Sequence, residues 1–169
     1  MYERQDGFHS NNFDRNSWKD HCLRWSRDLG RSIDYLETRA EIDKDRLAYY
    51  GYSQGSVIGP ILLAVEPRIK ASIFEAGGFL SGGFSRMFAP EADPFNFTPR
   101  LRLPLLMLNG GYNFVHHVEG GLNPFIRFLG TPPEHQVRRI YETDHQAPRL
   151  ERIKETTAFL DKYLDPVKK

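Results

Sequence analysis

The stretch Gly51-Tyr52-Ser53-Gln54-Gly55 is the part of this chain best suited to chemistry. Its serine has a glycine two residues to either side, and it joins an aromatic and apolar run over 47–51 to a second apolar run over 54–66. Where a strand turns into a helix within so few residues, the serine backbone is strained, and glycine-sized neighbours let the two elements approach. The hydroxyl is then lifted clear of the sheet, beside a helix N-terminus whose amides and dipole favour developing negative charge. This is the pattern of a nucleophile elbow, and its chemistry is attack on a carbonyl through a covalent acyl intermediate.

A serine hydroxyl needs a base, and in this arrangement the order along the chain is serine, acid, histidine. His145, in "RRIYETDHQAPR", follows the last predicted strand, where a base can reach across to Ser53. The other histidines are less well placed. His9 and His21 precede the elbow, and His135 precedes its strand. His116 and His117 are adjacent, so they point in different directions and read as a solvated loop; no third metal ligand stands at a recognisable spacing from them.

These residues need a scaffold. Strands are predicted over 47–51, 71–75, 105–109 and 136–141, and helices over 54–66, around 122–129 and over 149–164. Strands that alternate with helices favour a parallel sheet with helices on both faces. An earlier helix of about twenty residues begins near Ser17, a plausible N-cap, and its apolar stripe of Cys22, Trp25, Leu29, Ile33 and Leu36 is expected to cover one face of that sheet. Residues 1–16 are polar and read as an N-terminal arm, leaving 17–169 as a single domain. The glycine- and proline-rich segment 77–99 breaks the rhythm. It carries Phe79, Phe84, Met87, Phe88, Phe95 and Phe97 and reads as a long loop or cap remnant over a site.

With 23 basic and 22 acidic residues in 169, the net charge is +1. No field steers the protein to nucleic acid or to an anionic membrane. One cysteine, Cys22, forms no internal disulfide, the N-terminus has no apolar leader, and no apolar run approaches the ~20 residues needed to span a bilayer. The expectation is a cytoplasmic protein with a small-molecule substrate, no nucleic-acid partner and no cofactor.

The segments "WSRDLGRSIDYLETRAEIDKDRLAYYGYSQG", "LPLLMLNGGYNF" and "ETDHQAPR" resemble the α/β-hydrolase superfamily, its serine esterases and lipases in particular, over nearly the whole chain. More closely, they are similar to hydrolase domains found alone or joined to bacterial serine/threonine kinase-like proteins. The resemblance implies a truncated α/β-hydrolase core of about four mostly parallel strands flanked by helices. It also implies an ester-hydrolysing enzyme with Ser53 as nucleophile and His145 as base. After the third strand the family pattern places an aspartate where this chain has Asn113. An amide can still hold an imidazole in one tautomer, but it lacks the charge that stabilises the imidazolium, a loss of about 10⁴ in rate in the serine-protease case. Glu119 and then Asp93 are the substitutes ranked behind Asn113, while Asp144 is badly placed to turn back onto its neighbour His145.

In a full α/β-hydrolase four more strands precede the elbow strand, and the loop after the third supplies one of two oxyanion donors. This chain begins about where the fourth would end, so these elements are expected to be missing. The backbone N–H of Gln54 is then the one donor in view, and loss of the other costs ~3 kcal/mol. The flank of the elbow strand is left open, which favours a homodimer or larger oligomer. The leading reading is therefore a serine carboxylesterase acting on short to medium acyl esters, with the phenylalanines of 77–99 as an acyl pocket. Peptidase or thioesterase activity would use the same machinery. The rival readings are a catalytically silent hydrolase remnant serving as an oligomerisation or binding module, and a piece of a longer natural protein.

Overall fold

The computed structural model describes residues 15–81 and 88–166. Four strands, β1 (Ala48–Tyr52), β2 (Ala71–Glu75), β3 (Leu105–Gly110) and β4 (Gln136–Tyr141), form one sheet in the order β1-β2-β3-β4, every neighbouring pair parallel. The helices are α1 (Arg15–Glu37), α2 (Gln54–Val65), the short α3 (Pro94–Phe97), α4 (Asn123–Phe128) and α5 (Arg149–Leu164). This is the α/β architecture expected from the alternation of strands and helices, with β1 one residue later and β3 one residue longer than read.

Successive side chains of a strand face opposite sides of its sheet, and both sides here are covered, so β2 and β3 are buried at every position. On one side Phe74, Leu105 and Met107 pack with Leu63 of α2 and Phe125 of α4. On the other, Ile73, Leu106 and Leu108 pack with Ala147 and with Phe159 of α5. The run Leu105-Leu106-Met107-Leu108 lacks polar alternation because neither of its faces meets water.

α1 corrects three expectations. It begins at Arg15, so Arg15 and Asn16 belong to it, while residues 1–14 of the expected arm lie outside the described residues. Its stripe also includes Trp18, whose indole N–H donates to the Ala92 carbonyl at 2.7 Å. Trp18 and Cys22 pack on Val57 and Ile61 of α2 and on Phe88 and Ala92, so the first half of the helix rests on α2 and the Pro90–Ala92 turn, and only its later part, through Leu29 and Ile33, joins the cluster that includes Phe74 and Leu105 of the sheet. Burial pushes the Cys22 thiol up to about 12, which makes it an inert core residue.

Segment 77–99 is not wholly loop. It contains α3, whose N-cap Asp93 accepts a hydrogen bond from the Phe95 N–H at 2.9 Å. Four residues framed by prolines carry no helical period, which is why no helix is read there from sequence. Phe84 and Met87 lie outside the described residues.

β1 is a sheet edge among the described residues. Leu47 accepts from Lys70 N–H at 2.8 Å and Ser53 N–H donates to Glu75 at 2.9 Å, so the odd-numbered residues face β2. Alternation turns the N–H and C=O groups of Ala48, Tyr50 and Tyr52 to the open side. No described helix is long and apolar enough to cross a membrane.

Candidate active site

Ser53 stands between the last residue of β1 and the first of α2, with φ 49° and ψ −106°, a left-handed backbone that few non-glycine residues adopt. The turn is tight enough that a Cβ on Gly51 would lie 2.6 Å from the Gly55 carbonyl carbon and 2.8 Å from the Ser56 nitrogen, so Gly51 is sterically required. Gly55 is not: a Cβ there would make only an ordinary 3.6 Å contact with the Tyr49 hydroxyl. The expectation that both flanking glycines serve close approach therefore holds for one of them. The turn is fastened to β2 by Ser53 N–H, which donates to the Glu75 carbonyl at 2.9 Å, and the Ser56 hydroxyl shares its proton between the Gly51 carbonyl at 2.6 Å and the Glu75 carbonyl at 2.8 Å.

His145 lies after β4, at the far edge of the sheet from β1. Its loop folds back over the C-terminal ends of the strands, and Nε2 comes to 2.9 Å from Ser53 Oγ. The crossing is held by main-chain bonds, Gly111 N–H to Tyr141 at 2.7 Å and Tyr112 N–H to Thr143 at 3.0 Å. Gln146 donates to the Tyr52 hydroxyl at 2.7 Å, and the Tyr52 ring meets His145 edge-on at 5.6 Å. A half-buried hydroxyl is thus hydrogen-bonded to an imidazole beside the N-terminus of a twelve-residue helix. That arrangement can activate an oxygen nucleophile and bind the negative charge it creates.

Asn113 is buried in the loop after β3, 1 % exposed. Its Oδ1 accepts from Val115 N–H at 2.9 Å and His116 N–H at 3.3 Å, and its Nδ2 has no hydrogen-bond partner. Because both backbone donors require an oxygen, the amide cannot be turned end for end without losing them. No hydrogen bond joins Asn113 to His145 among the described residues. Glu119 accepts from Asn123 Nδ2 at 2.8 Å, Asp93 caps α3, and Asp144 accepts from the His145 backbone at 2.6 Å, so none of these carboxylates bonds the imidazole. Gln54 opens α2, and its N–H has no preceding turn to bond within the helix.

His116 corrects the reading of the histidine pair as a solvated loop. It is 1 % exposed, its ring lies nearly parallel to that of His145 with centroids 6.4 Å apart and planes 21° from parallel, and its Nδ1 lies 3.2 Å from the Phe79 carbonyl. Burial, helped by the neighbouring His145, lowers its pKa to about 4 against the opposing pull of the Phe79 and Gly78 carbonyls, so the ring is neutral near pH 7. Nothing in two adjacent histidines shows which one turns inward. Among the described residues no group of three or more His, Cys, Asp or Glu side chains is arranged to hold a metal ion.

Glu75 is a second residue that sequence reasoning missed. Its side chain, 2 % exposed, accepts from Arg152 of α5 at 3.0 Å and from the Tyr50 hydroxyl. Burial and then this hydrogen bond push the Tyr50 phenol well above its ordinary value. The available signal was a carboxylate closing an otherwise apolar strand, "ASIFE".

Two cavities lie along α2. One, of about 270 Å³, is lined by Val57, Phe79, Leu80, Phe88, Phe95 and Pro124 among others; the other, of about 390 Å³, follows the β1 edge past Tyr52, Gln54 and Ile58.

Several solved structures share this arrangement of strands and helices. An acetyl xylan esterase from Paenibacillus sp. R4 superposes with a TM-score of 0.68 at 19% identity, over 85% of this chain and 54% of that one. A cold-adapted esterase from an Arctic intertidal metagenomic library gives 0.68 at 19% identity, over 89% and 63%. An acylaminoacyl peptidase from Pyrococcus horikoshii gives 0.66 at 17% identity, over 85% and 28%. The fold is that of the α/β-hydrolases. This chain carries a four-stranded part of the α/β-hydrolase fold and spans between half and two thirds of the two esterases named. No protein-family model matches it, and no curated protein matches it in sequence. The closer likeness to kinase-associated domains rests on the sequence motifs alone.

Proposed function

We propose that this protein is a serine hydrolase of carboxylic esters with short to medium acyl groups, residues 15–169 working as one domain in the cytoplasm. The observation that carries the reading is the 2.9 Å contact between Ser53 Oγ and His145 Nε2 at a strained strand-to-helix turn. Ser53 Oγ attacks the ester carbonyl carbon while its proton passes to His145 Nε2, and the Gln54 N–H receives the oxyanion. His145 then returns the proton to the departing alkoxide, leaving an acyl-serine. Water repeats the sequence, with His145 as base, and releases the acid. Asn113 orients His145 at one remove, by shaping the loop beneath it. The cavity lined by Phe79, Phe88 and Phe95 takes the acyl chain. With no carboxylate of the described residues on the imidazole and one oxyanion donor in view, turnover is expected to be slow.

The test is labelling with a fluorophosphonate probe, with p-nitrophenyl butyrate hydrolysis followed on the same samples and Ser53→Ala as control. Labelling and hydrolysis that both disappear in Ser53→Ala support a working serine esterase. A folded protein that takes no label is instead a silent remnant acting as a binding module.

We also propose that the chain forms a homodimer through β1. A strand edge is complementary to its own copy in antiparallel pairing about a twofold axis, and Ala48, Tyr50 and Tyr52 present their backbone groups to the open side. Sedimentation velocity should show a dimer that dissociates on dilution; a monomer at every concentration would rule this interface out.

A further inference from the structure

The two inward-facing residues of the loop after β3 are Asn113 and His116, while Tyr112 and Phe114 between and before them are 70% and 71% exposed. Asn113 spends its oxygen on the backbone of this same loop, one of the two bonds being to His116 N–H itself. What reaches the candidate base from this loop is the His116 ring. That ring is fixed from behind. A carbonyl can only accept, so the 3.2 Å contact with Phe79 places the proton on His116 Nδ1, and burial keeps the ring uncharged. The segment is pinned further by Ser81 N–H to Val115 at 2.9 Å and His117 N–H to the Ser81 hydroxyl at 3.0 Å. The Tyr52 ring, one residue from the serine, closes on His145 from another direction.

We infer that His116 is a positioning residue: its buried ring, nearly parallel to that of His145 with centroids 6.4 Å apart, fills the space beside the imidazole and keeps it turned towards Ser53 by packing, where a carboxylate would do so by hydrogen bonding. The inference rests on the hydrolase reading above. Aromatic packing of this kind restricts the ring's rotation about χ2 without supplying charge, so it serves orientation and leaves the imidazolium without a counter-ion. Asn113 then matters because it folds the loop that delivers His116, which accounts for its buried oxygen being used up within the loop.

Two substitutions separate the ring from its hydrogen bond. His116→Phe keeps a ring beside His145 and loses the bond to Phe79. His116→Gln keeps a donor for Phe79 and loses the ring. If the ring positions the base, His116→Gln lowers kcat for p-nitrophenyl butyrate and the rate of fluorophosphonate labelling by about 30- to 100-fold with KM changed less than about twofold, while His116→Phe stays within about fivefold of wild type. A Gln variant as fast as wild type, or a Phe variant as slow as the Gln variant, overturns the inference. Independently of any variant's folding, the wild-type protein should show a nuclear Overhauser contact between ring protons of His116 and His145, and its absence overturns the packing. A wild type that takes no label at all is a different result: it removes the hydrolase reading itself.

Discussion

Gly110→Ala is expected to lower p-nitrophenyl butyrate turnover by at least about 10²-fold while the sheet stays folded. The reason lies in the distance the His145 loop must travel. Ser53 follows β1 at one edge and His145 follows β4 at the other, so the loop recrosses three strand spacings, about 14 Å. It does so by lying directly on the end of β3. A Cβ on Gly110 would be 1.8 Å from the Asp144 carbonyl oxygen and 2.6 Å from the Thr143 oxygen. These are backbone atoms, which cannot swing aside as the tip of a side chain can, so the loop must rise and carry the adjacent His145 away from Ser53. Far-ultraviolet circular dichroism should be unchanged, and fluorophosphonate labelling should slow in step with turnover. Turnover within about threefold of wild type would show that the loop accommodates the methyl group and that this crossing does not set the site.

Arg152→Leu is expected to destabilise the protein by about 2–3 kcal/mol in urea denaturation. Breaking a buried ion pair from one side typically costs 3–5 kcal/mol, because a desolvated charge is left behind. The lower figure applies here because the Arg152 side chain is 29% exposed and Glu75 keeps its Tyr50 hydroxyl. Adding Glu75→Gln should recover about half of the loss, since the amide oxygen can still accept from Tyr50 and no charge remains buried. A single-variant cost below about 0.5 kcal/mol would mean that solvent screens the pair after all. Glu75 also accepts from the elbow through its main-chain oxygen, so the same residue ties α5 and the Ser53 turn to β2.

The elements carrying strong periodicity were legible before any coordinates. β2, β4 and α5 have the bounds read from their apolar patterns, because burial on one or both faces writes itself into those patterns. The contact between Ser53 and His145 was legible for a different reason: a turn this tight admits few residue types, and a histidine after the last strand lies at the same end of the sheet. What escaped depends on contacts between residues far apart in the chain. Gly110 looks like any strand-ending glycine until Asp144, 34 positions on, is laid against it. Gly55 fits the motif, yet the space around it is open. His116 and His117 are the same residue type side by side, and only the hydrogen bonds that fold the loop decide which ring is buried. Asn113 stands where a carboxylate was expected, and its role could not be read until its oxygen was seen committed to Val115 and His116.

The hydrogen bond between Ser53 and His145 joins residues 92 positions apart, and the loop that carries His145 reaches the serine by crossing the end of β3. During synthesis the serine turn, whose own contacts are with β2 close behind it, takes shape while its proton acceptor has yet to be made. On the proposed function, the nascent chain holds its serine hydroxyl without a base until the strand and loop that carry His145 have been made.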